Sequence, residues 1–132
     1  MRCRALFYDG AVDFLTALCQ FADDNGLTVL LHTSEYNAAS AAEKKKKLDY
    51  LQSKTHISFD YIIEKGDKIM LPNTLICIDD SVDNLKRSNA PIKILYAQFH
   101  NKEYPDDMIR VESYENLLAV LIVTLAILKA AV

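Results

Sequence analysis

Asp79 and Asp80 stand side by side where a short apolar run, Leu75-Ile-Cys-Ile78, stops. Such a run reads as a buried strand that delivers both acids to the carboxyl edge of a sheet, where open α/β sheets bind ligands. Adjacent carboxylates repel each other, and a hard cation with oxygen ligands, such as Mg²⁺, relieves that repulsion. The same residues also read as a helix start, with Asp80 or Ser81 as the cap. Asn84 then either orients the acid loop or simply turns the chain. Upstream, a second apolar run ends in Thr33-Ser34. Its hydroxyls and backbone N–H groups can hold phosphate oxygens, or can merely cap the next helix. Lys47 and Lys68 lie between the two runs; each can neutralise a phosphate or lie on a solvated face. Mg²⁺ at Asp79 and Asp80, with phosphate at Thr33, Ser34 and a lysine, is a phosphoryl-handling layout.

Alternating helix and strand patterns must position these groups. Residues 2–8 form a candidate short strand. Residues 11–25 carry Val12, Leu15, Leu18, Cys19 and Ala22 at helical spacing, and Gly26 follows as a stop signal. Residues 27–32 read as a strand. Residues 40–54 read as a helix with Leu48, Tyr50 and Leu51 turned inward. Short strands are expected at residues 61–63, 75–78 and 92–97, one or two helical turns at 83–87, and a terminal helix at about 113–131. Strands separated by helices imply a mostly parallel sheet with crossover connections. The fold class is therefore α/β, read as a single three-layer α/β/α domain over residues 1–132.

Composition narrows the function classes. With 132 residues, the chain is long enough for a single core and short for two. Lys+Arg 15 against Asp+Glu 18 is mildly acidic, so nucleic-acid binding is not expected. The one cationic run, Lys44 to Lys47, reads as a solvated helix face. Cys3, Cys19 and Cys77 lack metal-ligand spacing and read as reduced thiols of a cytoplasmic protein. The basic Met1-Arg-Cys-Arg4 precedes no long apolar segment, so no export signal is expected. Residues 117–129 are apolar on every helical face except at Thr124 and Lys129, which calls for burial all round. That stretch is short for a membrane span, which needs about 20 apolar residues. A homo-oligomer interface or deep packing is expected instead of a membrane.

Several segments, in order, resemble the haloacid dehalogenase superfamily, and within it the 5'(3')-deoxyribonucleotidase-like branch. They are Gly10-Ala-Val-Asp-Phe-Leu15, Val29-Leu-Leu-His-Thr-Ser34, Lys47-Leu-Asp-Tyr-Leu51, Asp67-Lys68 and Ile78-Asp-Asp80 with Asn84. Two later segments, Ile94-Leu-Tyr-Ala-Gln-Phe-His-Asn101 and Arg110-Val-Glu-Ser-Tyr114, are similar as well. The resemblance implies a Rossmann-like core, Mg²⁺ at Asp79 and Asp80, and phosphate at Thr33, Ser34 and Lys47 or Lys68. It also implies a small phosphorylated ligand or nucleotide.

The chain departs from that family at the nucleophile. The family's first strand carries Asp-x-Asp-Gly, and this chain contains no Asp-x-Asp. Either Phe7-Tyr-Asp9-Gly10 is the counterpart, with Phe7 at the nucleophile position and Asp9 at the acid/base position, or Gly10-Ala11 opens the following helix and the motif strand is missing. Nor is there room for the family's cap after this segment. An unfilled slot would leave backbone groups unpaired, so Cys3-Arg-Ala-Leu-Phe-Tyr8 is favoured as a degenerate central strand, the alternatives being pairing supplied by a second copy of the chain or closure of the two flanking strands. Loss of a covalent nucleophile removes several orders of magnitude of rate. The expected function is that of a nucleotidase-related protein with an incomplete site and weak or no phosphatase activity alone. The alternatives are an active Mg²⁺-dependent phosphatase using Asp9 or a partner-supplied strand, and a structural dimerisation module.

Overall fold

The computed structural model describes residues 11–35, 37–55, 59–64 and 73–130. The chain is α/β with parallel sheets, and it divides into two compact units, Met1–Ile69 and Met70–Val132. Residues 2–8, including the expected central strand, lie outside the described residues.

The first unit contains α1 (Ala11–Asp24), β1 (Leu30–Ser34), α2 (Ala38–Thr55) and β2 (Asp60–Glu64). Gly26 ends α1 at φ 68°, which needs no Cβ clearance in glycine. The Gly26 N–H donates to the Asp23 carbonyl and the Leu27 N–H to that of Ala22, at 3.3 and 2.8 Å. That closing turn occupies the residues just after α1, so β1 begins at Leu30 and not at Leu27 as the apolar pattern predicts. Asn37 caps α2 by accepting from the N–H groups of Ala39 and Ser40, and so starts the helix before the expected Ser40. β1 and β2 pair in parallel, Leu30 opposite Asp60 and Ser34 opposite Glu64. Leu15, Cys19, Leu48, Leu51 and Phe59 form the core. Tyr50, expected inward, is 60 % exposed. The buried stripe of α2 runs through Lys44, Leu48 and Leu51, at offsets of four and three, and leaves Tyr50 on the outer face.

The second unit contains β3 (Ile76–Asp79), α3 (Val82–Arg87), β4 (Ile92–Tyr96), a 3₁₀ turn (Phe99–Asn101), β5 (Met108–Val111) and α4 (Tyr114–Ala130). The strands pair in parallel in the order β3-β4-β5. Neighbouring Ile94 and Leu95 point to opposite faces and are both fully buried, as a covered central strand requires. Leu85, Leu95 and Met108 pack together, with Cys77 and Val82 against them. β5 is absent from the sequence reading because Arg110 interrupts its four-residue apolar run.

Ser113 caps α4, its Oγ accepting from the Asn116 N–H at 3.0 Å. Leu117, Leu121 and Leu125 are buried, whereas Ile122, Val123 and Ile127 are 51, 57 and 64 % exposed. The tail therefore buries one stripe at intervals of four residues, not its whole circumference. Among the described residues, no helix is long and apolar enough to cross a membrane.

Candidate functional site

β3 ends on Asp79, at the carboxyl end of a parallel sheet. Two of the groups on its carboxylate orient it. Oδ1 accepts from the Ser81 N–H at 2.9 Å, and Oδ2 accepts from the Asn84 side-chain amide at 3.2 Å. Asn84 sits on the first turn of α3, whose cap is Ser81, with the Ser81 Oγ accepting from the Asn84 N–H at 3.2 Å. The Arg87 guanidinium, one turn further along α3, donates to the Asn84 Oδ1. That contact orients the amide so that its NH₂ faces the acid. The stretch starts a helix, with Ser81 as its cap, and it presents an oriented carboxylate.

Asp80 follows immediately. Partial burial, the hydrogen bond with Asp79 and the charge of Asp79 all raise its carboxyl above the usual carboxylate value. His100 pulls in the opposite direction. The His100 Nε2 and the Asn101 side-chain amide both donate to the Asp80 backbone carbonyl, at 3.2 and 2.9 Å. The 3₁₀ turn after β4 thus braces the loop after β3.

In the first unit, β1 carries Thr33 and Ser34 at its end. The cation that reaches Thr33 is Lys44, a residue the sequence reading placed on a solvated face. Its side chain is buried, with the residue 5 % exposed. Nζ donates to the Thr33 Oγ1 at 2.7 Å and lies 3.1 Å from the Glu35 carboxylate. A buried lysine needs such a partner to remain charged. Lys44 precedes Leu48 by one turn on the core stripe, and this spacing is the sequence signal that marks it. Lys47 is half-buried on the same helix. Asp9 and Lys68 lie outside the described residues.

The structure therefore groups Asp79, Asp80 and Asn84 within the second unit, and Thr33, Ser34 and Lys47 within the first. His100, Asn101 and Arg110 join the acid loop, although only family-like segments and no stated role marked them in the sequence. Among the described residues, no three His, Cys, Asp or Glu side chains converge as a metal-binding group. Asp79 and Asp80 alone still suit a hard cation that takes its other ligands from water and phosphate, as Mg²⁺ commonly does. Comparison with protein-family models, curated proteins and solved structures yields no match to this chain.

Proposed function

We propose that this chain is a haloacid dehalogenase-like, nucleotidase-related protein of the cytoplasm, with a three-layer core, no cap and an incomplete catalytic site. It retains Mg²⁺ and phosphate binding but little or no phosphatase activity by itself. The observation that carries this reading is the Asp79 carboxylate, oriented by Ser81 and Asn84 at a parallel-strand end beside a second acid. In this reading Asp79 and Asp80 hold Mg²⁺, and Asn84 keeps Asp79 aimed. The metal, when bound, offsets charge on a phosphate group. Within the first unit, taken by itself, Thr33 and Ser34 are the candidate phosphate hydroxyls, since a threonine oxygen that accepts from lysine still has a proton to donate. Lys47 and Lys68 are the candidate phosphate cations, because Lys44 is already neutralised by Glu35. Asp9 is the remaining candidate for activating water.

Calorimetric titration with Mg²⁺, with and without inorganic phosphate, tests the binding. Hydrolysis of p-nitrophenyl phosphate and deoxynucleotides tests the chemistry. The expected result is Mg²⁺ binding weakened about tenfold or more by Asp79→Asn, with little turnover. Absence of any Mg²⁺ or phosphate effect on binding heat and thermal stability overturns the reading. Rapid turnover abolished by Asp79→Asn would support the active-enzyme alternative.

A second reading, a dimerisation module, is favoured by the outer face of α4. Ile122, Val123 and Ile127 are exposed there with Ala119 and Ala126 alongside, and this apolar face fits a second copy of the same helix. Light scattering on the wild type and on Ile127→Glu tests it. A dimer converted to monomer supports this reading, and a monomeric wild type removes it.

A further inference from the structure

The peptide joining Asp80 to Ser81 is held on both of its edges. Its N–H donates to the Asp79 Oδ1 at 2.9 Å. Its carbonyl accepts from the Asn101 side chain at 2.9 Å. In a planar trans peptide these two groups point in opposite directions, so rotating the plane breaks both bonds at once. Asn101 is 1 % exposed. Its NH₂ faces the carbonyls of Asp80 and Tyr96, the latter at 2.8 Å. Its Oδ1 faces the Gln98 N–H at 2.8 Å, and the Arg110 Nε and Nη2 at 3.3 and 3.2 Å. With donors at one end and carbonyls at the other, only one orientation of the amide satisfies every partner.

We propose that Asn101 is a positioning residue for the Asp79 carboxylate. It acts through the peptide between Asp80 and Ser81, and Arg110 on β5 locks it in the required orientation. Asp79 is then aimed by two arginine-backed routes. Arg87 acts through Asn84 on Oδ2, and Arg110 acts through Asn101 and the loop peptide on Oδ1. The first route lies within one helix. The second ties the carboxylate to the far strand of the sheet, so a change at β5 is felt at the end of β3. Its consequence for metal binding rests on the Mg²⁺ reading above, whereas the mechanical link does not.

The test uses the full chain carrying Asn101→Ala, and separately Arg110→Gln in case the first variant does not fold. Two quantities are read: hydrogen exchange of the Ser81 amide and the Mg²⁺ Kd. In Asn101→Ala, Ser81 exchange should accelerate and Mg²⁺ binding should weaken about tenfold, a usual effect of losing a group that orients a ligand. The Ile94 amide in β4 should keep its protection. Arg110→Gln should act in the same direction and less strongly. Unchanged Ser81 exchange in a folded variant overturns the proposal. So does a uniform loss of protection through β4 and α3, which would mean a merely structural role, and so does an unchanged Mg²⁺ Kd. Selective loss at Ser81 in a protein that shows no Mg²⁺ binding upholds the mechanical link and overturns the Mg²⁺ reading instead.

Discussion

The ends of β1 and β3 carry polar groups of similar sequence appeal, and the structure treats them in opposite ways. At β1 the charges close on themselves: the buried Lys44 donates to Thr33 and pairs with the half-buried Glu35. At β3 two acids stand together, one oriented by Ser81 and Asn84, the other with its carboxyl raised by burial and by its neighbour. Charges that satisfy each other in this way need no ligand to offset them. Two adjacent carboxylates in a partly buried loop oppose folding, and a cation bound there would offset that cost. The functional reading accordingly leans on β3.

Breaking the β1 cluster should have the largest effect on stability. Lys44→Met leaves the half-buried Glu35 charge without its partner, and should cost about 3 kcal/mol in urea unfolding. Adding Glu35→Leu should recover most of that loss, because a pair replaced by apolar groups no longer carries an isolated charge. A harmless Lys44→Met would show that the pair is solvated, and would return Lys44 to the pool of phosphate ligands. At β3 the expected loss is smaller and of another kind. Ser81→Ala removes the cap hydroxyl and should cost about 1 kcal/mol. The Ser81 backbone N–H that holds Asp79 remains, so the Mg²⁺ Kd should change little. A large change in Kd with unchanged stability would identify the Ser81 hydroxyl as a ligand.

The end of α1 and the acid-bearing strand were legible in the residues, and what was not has specific causes. The end of α1 followed from Gly26, since a left-handed turn there suits glycine. The acid-bearing strand followed from the abrupt change at Asp79. Lys44 was misread because a run of four lysines suggests a solvated face, although only three of the four positions leave the core stripe. β5 was hidden by Arg110, which is polar because it braces Asn101. Asn101 was legible only as part of a family-like segment. A buried amide that bridges strand ends declares itself through tertiary partners, and no local periodicity encodes those. On α4, uniform apolarity called for burial without saying which side this chain itself covers, and that side is the stripe of Leu117, Leu121 and Leu125.

The smallest expected effect is also the sharpest test of the contrast. The Asp80 carboxyl is raised chiefly by burial and then by Asp79, so the folded chain holds that proton more tightly than the unfolded chain does. At pH values below the ordinary aspartate range, about 4, the group is protonated in both states and imposes no penalty. As pH rises through the interval between the ordinary and the raised value, the unfolded chain ionises first, and the folded chain loses stability relative to it. Asp80→Asn removes that term. It should therefore raise Tm modestly at pH 7, and the gain should vanish in acid. Added Mg²⁺ should reverse the order, stabilising the wild type more than the variant, since only the wild type has two negative charges for the ion to offset. A variant less stable than the wild type at pH 7 without metal would mean that the Asp80 carboxylate is satisfied within the fold. The acid loop would then be a self-contained cluster like that of Lys44, and the ground for placing a cation there would be gone.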